Sequence, residues 1–337
     1  MRIGCWMMAV LGLATLPVFA QVAPAPAATT AKDLPAVVVS GELPGPGLWK
    51  VSKGDHVLWI LGTLAPLPKK MQWQSRQVGD TELEAQAVLL PPGIEVNAKV
   101  GFFGSLLLLP RLVGIRNNPD GRKLVDVLPP PVYARWLGLK ARYLGHDGGV
   151  EKYRPMFAAI KLYEAAVKEA GLSDDDIAGK LVRKLAKAHD IPLVDTSYKF
   201  TLADPKAALT EFRHGGMDDT ACFEQTLDRV EHGVPQMQAQ ANAWATGDID
   251  ALARMPRDHA DRSCADAFDG ADFARQQGLQ DLPEKVAQSW MDAAGKALAQ
   301  HGSSLALLPM EDLLAADGYL ARLKAQGYTV ESPDEQD

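Results

Sequence analysis

Apolar positions in this chain change their spacing twice, from short clustered runs to a helical period and back again. Leu48 to Val51 and Val57 to Thr63 are dense in β-branched and aromatic residues and flank Gly54-Asp55, a dipeptide suited to a tight turn. That pattern predicts two strands joined as a hairpin. Trp73 to Gln86 is polar and helix-compatible, and Ala87 to Leu90 is a short apolar run stopped by Pro91-Pro92, the form of a buried strand that ends abruptly. Gly101 to Leu128 is apolar without a period and carries turn residues from Asn117 to Gly121, so it reads as irregular or short-stranded.

Helical spacing then takes over. Pro131 to Leu144, Met156 to Ala170 and Asp174 to His189 each read as a helix, the last with three aspartates in its first turn and Ile177, Leu181, Val182 and Leu185 on one face. Ile191 to Asp195 reads as a strand, and Asp204 to Leu252 as a helical hairpin or bundle. Pro283 to Gln300 is an amphipathic helix leading into a strand at Ser304 to Leu308. Leu313 to Ala325 reads as one more helix and Tyr328 to Val330 as a final strand. No internal repeat is visible. Strands gather at both ends and helices fill the middle, so the two ends should meet in one mixed central sheet, with a helical cap or subdomain at about residues 130–300. The expected class is α/β or α+β.

The first 40 residues change composition. Arg2 supplies a positive start, Met7 to Leu16 is an apolar run, and Val18-Phe19-Ala20 is an A-x-A-like cleavage site, so residues 1–20 read as a secretory signal. Cys5 stands ahead of the apolar run, not behind it, which argues against a lipoprotein. Residues 21–40 are rich in Ala and Pro and read as a semi-rigid tether, leaving 41–337 as the folded domain. The apolar run is shorter than the roughly 20 residues of a membrane span, so no span is expected after cleavage.

With 47% hydrophobic and 23% charged residues the chain can bury a large core, which excludes disorder for most of it. A net charge of −7 and the lack of a basic stripe interleaved with aromatics argue against a nucleic-acid partner. Losing the signal removes Cys5 and leaves Cys222 and Cys264 as thiols in an oxidising compartment, where they are expected to pair. The alternative is two buried free thiols. A zinc site lacks the C-x-x-C spacing.

Standard catalytic signatures are missing: there is no G-x-S-x-G, no Walker A string, no G-x-G-x-x-G and no H-E-x-x-H. Gly101 to Gly104 (GFFG) is too apolar to cradle phosphate. His56 falls at the hairpin turn, where a histidine is ordinarily solvated, and Asp258-His259-Ala260-Asp261 with Cys264 looks like a charged, solvated stretch before it looks like a metal cluster.

Four segments together resemble the TraB/GumN family: LWKVSKGDHVLWILGTL from Leu48, YRPMFAA at Tyr153 to Ala159, AWATGDIDAL at Ala243 to Leu252, and DGYLARLKAQGYTV at Asp317 to Val330. The family is largely bacterial and related to the Tiki proteases. The resemblance implies a periplasmic or secreted location and a fold in which two G-x-x-H motifs, a glutamate and an arginine converge at strand ends around a divalent metal.

This chain departs from that pattern. Gly62-Thr63-Leu64 is followed by Ala65 where the first histidine would stand. The glutamate would fall near Pro91, the second motif at Pro309 to Asp312, and an Arg-Asn pair at Val286-Ala287. Asp195 is the acid left at a strand end, or else a capping group, and Glu311 with Asp312 could serve a helix start through its dipole. A metal-dependent hydrolase needs several donors around the ion and a group to move protons. The expectation is therefore an inactive binding or regulatory module without catalytic residues or cofactor, acting on an unidentified envelope protein or peptide. The alternative is a metal-dependent hydrolase of peptidase or esterase type whose ligands have moved to Asp195, Glu311 and Asp312.

Overall fold

The computed structural model describes residues 44–336 apart from 70, 72, 74–75, 99–113, 203, 216 and 256–259. The signal at 1–20, the tether at 21–40, the run at 101–104 and Asp258-His259 lie outside the described residues.

The hairpin forms as its residues predict. Strand β1 (Leu48–Lys53) pairs antiparallel with β2 (His56–Thr63), Trp49 opposite Ile60, and Gly54 takes a φ of 65° in the turn, where a Cβ would be strained. His56 opens β2 and is half-buried, its Nδ1 donating to the Leu298 carbonyl at 2.7 Å. The solvated turn histidine expected from the sequence is thus an anchor between the hairpin and a distant helix.

Next come β3 (Leu67–Pro68), α1 (Arg76–Glu84), β4 (Val88–Leu89) and β5 (Ile94–Ala98), then α2 (Leu124–Val127). Helices α3 (Pro130–Tyr143) and α4 (Pro155–Glu169) each begin with a proline, whose missing N–H costs nothing there and whose fixed φ suits a first turn. After β6 (Leu172–Ser173), helix α5 (Ile177–Ala188) starts later than its aspartates suggest. Asp176 is its N-cap, accepting from the Gly179 amide at 2.8 Å, and the other two aspartates precede the helix.

Strand β7 (Leu193–Val194) is followed by β8 (Tyr198–Leu202) and by a run of helices: α6 (Pro205–His214), α7 (Thr220–His232), α8 (Val234–Thr246), α9 (Ile249–Arg254), α10 (Ala260–Asp269) and α11 (Asp272–Gln276). The chain closes with α12 (Leu282–Gln300), β9 (Ser303–Pro309), α13 (Met310–Leu314), α14 (Tyr319–Ala325) and β10 (Thr329–Glu331). The single helix expected over Leu313 to Ala325 is two. Ala315 is extended, and Gly318 turns so tightly that a Cβ there would strike the Asp312 carbonyl.

Both ends of the domain do meet in one sheet, in the order β10-β1-β2-β9-β4-β7. Four consecutive strands, β2, β9, β4 and the edge strand β7, run parallel and finish at one end of the sheet; β1 is antiparallel to both its neighbours. Leu58, Ile60, Leu305 and Leu307 are fully buried, as strands covered on both faces require. Helices α5, α8 and α12 join the sheet's core through Val182, Trp244 and Trp290, whereas α3, α4 and α7 share a separate core around Trp136, Leu162 and Phe223. Cys222 on α7 and Cys264 on α10 are bridged, which ties α10 to the second core. Two small parallel or antiparallel pairs, β5 with β8 and β3 with β6, were not legible in the sequence. No described helix is long and apolar enough to cross a membrane.

Candidate functional site

The parallel strands deliver β2 and β9 side by side, Thr63 in register with Pro309, so the segments that follow them lie together at the strand ends. Gly62 permits this. A Cβ on Gly62 would collide with the Met310 side chain, so glycine lets α13 close down on β2. The Gly62 carbonyl accepts a hydrogen bond from the Trp244 indole at 2.8 Å, and Trp244 lies 5.4 Å from Trp73 between ring centroids. The string AWATGD is the device that aims that indole: Gly247, with φ 74°, ends α8 in a left-handed cap, and Asp248 caps α9 by accepting from Ala251 at 2.8 Å.

A cleft of about 140 Å³ opens between these strand ends and the helices α4, α7, α8 and α9. Leu64, Ala65, Met310 and Glu311 form one wall. Met237, Leu252 and Met255 form the other, and Tyr163, Arg229 and Gln240 bring the polar atoms. Arg229 stands over the Tyr163 ring, 5.1 Å from its centroid. The arrangement is a methionine-rich slot whose walls are polar and apolar in about equal share, with one cation and one carboxylate among them, a shape for holding part of a ligand.

A sequence model of the TraB/PrgY/gumN family matches residues 47–332. The chain belongs to this family. No curated protein and no solved structure matches it.

Within this TraB/PrgY/gumN domain the residues singled out from the sequence do not share one pocket. Ala65 and Glu311 line the cleft; Gly62 and Thr63 lie in the strand beneath it, Thr63 donating to the Leu308 carbonyl at 3.3 Å. Asp312, one residue further round a short helix, lies instead beside Tyr319, which packs edge-on against Trp290 at 5.0 Å. Burial raises the Asp312 carboxyl above its ordinary range, and burial together with the Asp312 charge pushes the Tyr319 hydroxyl up to about 12.

Pro91 follows β4, and its carbonyl and that of Leu90 both accept from the buried Thr196 hydroxyl at 2.9 Å. Asp195 closes β7 but turns away from the cleft. It accepts from the Ser197 amide at 3.0 Å and pairs with Lys199 at 3.1 Å, and these contacts, the Ser197 bond first, hold its carboxyl down at about 2. Val286 lines a different, apolar groove.

These positions do not fit the divalent ion that the family pattern implies. Among the described residues lining the cleft there is no imidazole and one carboxylate, and a guanidinium shares the walls with it. A hard cation needs several oxygen donors converging within coordination distance. Asp228, Glu231 and His232 do bring ligand atoms within 4.8 Å of one another, but they are exposed and both carboxylates are engaged by Arg135.

Helical spacing does not distinguish Arg229, Tyr163 and Gln240 from surface residues. Glu82 was missed for the same reason: on a polar helix it looks solvated, yet it is fully buried and neither carboxylate oxygen makes a hydrogen bond of good geometry. Burial pushes its carboxyl up to about 7, with the Ala186 backbone opposing that shift.

Proposed function

We propose that this TraB/PrgY/gumN protein is exported to the periplasm or beyond and works there as a catalytically inactive binding or regulatory module, gripping an envelope protein or peptide in the cleft at the ends of β2 and β9. The observation that carries the reading is Ala65 beside Glu311 in a cleft whose lining otherwise includes Met, Leu, Tyr, Arg and Gln. A methyl group stands where a metal ligand would be required, and the one acid is accompanied by a cation. Neither can activate water by coordination, whereas the same walls suit apolar groups with a polar end. The apparent signal at residues 1–20 supports export.

The test is hydrolysis by purified protein. Peptide and ester substrates should survive incubation with manganese or cobalt at the buffer-alone rate. Turnover that requires the metal and disappears in Asp312→Ala would overturn the reading, as would one divalent ion per chain by elemental analysis, which would instead favour a hydrolase with relocated ligands. For export, expression in a bacterium should yield a periplasmic protein whose N-terminus is Gln21; an intact Met1 in the cytoplasm would refute it.

A further inference from the structure

A second concavity lies well apart in character from the cleft. Strand β5 pairs with β8 along one edge, and Ile94 and Val96, two residues apart, project from one face of β5 at 47% and 60% exposure. Facing them are Phe268 on α10, Leu279, and Leu282 and Val286 at the start of α12, enclosing a groove of about 430 Å³ with scarcely any polar wall. Two exposed β-branched residues beside such a groove form a contiguous apolar surface that an isolated solvated strand has no reason to keep.

The rim of the groove is acidic. Asp269 lines it, Asp266 stands one turn earlier on α10, and Asp281 precedes α12. Burial, and then the charges of Asp266 and Asp281, raise the Asp269 carboxyl above its ordinary range. Lys285, a cation whose charge acts on Asp269, also donates to the Gly278 and Gln280 carbonyls at 3.1 and 2.7 Å. Neighbouring cations are also engaged: Arg275 with Asp272, and Arg322 with Glu284 at 2.8 Å. The groove is thus an apolar trough with three carboxylates near its rim.

We propose that this groove docks an amphipathic, basic helix of a partner protein, its apolar stripe seated on Ile94, Val96 and Val286 and its Lys or Arg side chains directed at Asp266, Asp269 and Asp281. The apolar residues present the face of β5 and not its edge, which is the surface on which a helix packs. The acidic border supplies charge complementarity and orientation, and selects against acidic helices that would leave like charges opposed. This surface is separate from the cleft, so the proposal stands whether or not the cleft proves catalytic.

The experiment uses the whole secreted chain and a fluorescein-labelled peptide of Leu and Lys patterned as an amphipathic helix, followed by anisotropy. Two controls are a scrambled peptide of the same composition and a version with Glu for Lys. The patterned peptide should bind at least roughly tenfold more tightly than either control, weaken with salt, and lose roughly tenfold in affinity on Val96→Lys, an exposed change that leaves the core untouched. Asp266→Asn, Asp269→Asn and Asp281→Asn together should abolish most of the salt dependence while leaving circular dichroism unchanged. Equal binding of the scrambled peptide, or indifference to Val96→Lys, overturns the proposal. So does self-association of the protein alone that Val96→Lys eliminates, which would assign the groove to a second copy, or displacement of the peptide by a neutral fatty-acid analogue as efficiently as by the peptide itself.

Discussion

The Trp244 indole donates to the Gly62 carbonyl at 2.8 Å, and both groups are buried. The two residues are far apart in sequence, and the bond ties the end of the central hairpin strand to the helix that builds one wall of the cleft. Trp244→Phe keeps most of the ring but leaves a carbonyl without its donor, so unfolding by urea should reveal a loss of about 1–3 kcal/mol. Gly62→Ala should cost less, under about 1 kcal/mol, because the methyl group meets the far end of the flexible Met310 side chain, which can move aside. An unchanged midpoint for Trp244→Phe would contradict the placement of α8 against β2.

Glu82 makes stability depend on pH. Its folded value, near 7, lies above the ordinary 4.5, so the folded state favours the protonated acid. The sign follows: burial of Glu82 is tolerated below pH 4.5, becomes progressively costly as pH rises through 7, and is constant beyond it. Glu82→Gln, neutral at every pH, should therefore be more stable than the parent above pH 7 by about 3 kcal/mol and match it in acid. Parallel stability curves for the two proteins would disprove the assignment.

The Cys222–Cys264 bridge closes a separation of 42 residues. Chain entropy gives such a loop about 3–4 kcal/mol. Unfolded, unreduced protein should show no titratable thiol from this pair, and Cys264→Ala should lower stability by that amount while leaving the cleft intact. Two reactive thiols in denaturant would remove the basis of the claim.

Asp195 is a turn residue in this fold. Its carboxyl is held near 2, below the ordinary 3.8, so it contributes stability above pH 3.8 that is lost as pH falls through 2. The side chain is largely exposed, which limits Asp195→Asn to less than about 1 kcal/mol after solvent screening. Binding in the cleft should be unaffected. A large change in ligand affinity would return Asp195 to the site.

Much of the architecture was legible because local chemistry and global topology agree. The β-branched runs around Gly54-Asp55, the proline-started helices α3 and α4, and the apolar run at Ser303–Pro309 each carry their own signal. Strand β5 carried none: IEVNA has mixed polarity and gains its identity only by pairing with β8. The break between α13 and α14 was hidden because Ala315 and Ala316 are good helix formers, and steric contact between Gly318 and the Asp312 carbonyl decides the turn.

The candidate site divided in the same way. Sequence located Ala65 at the end of β2 and an acidic pair after β9, but a strand-end position does not say which side of a short helix faces the opening. One step of about 100° around α13 separates Glu311, in the cleft, from Asp312, beside Tyr319.

The sequence by itself determined that strands near both ends of the folded domain build the sheet, that two cysteines stood ready to pair, and that Gly62-Thr63-Leu64 is followed by a methyl group at Ala65, since propensity, residue identity and order are local properties. Tertiary structure decided that Arg229, Tyr163 and three methionines share a cleft with Ala65, that Glu82 is buried, and that Ile94 and Val96 border an acidic-rimmed groove. Those facts depend on which faces of distant elements pack together, and packing direction is fixed only when the whole core closes.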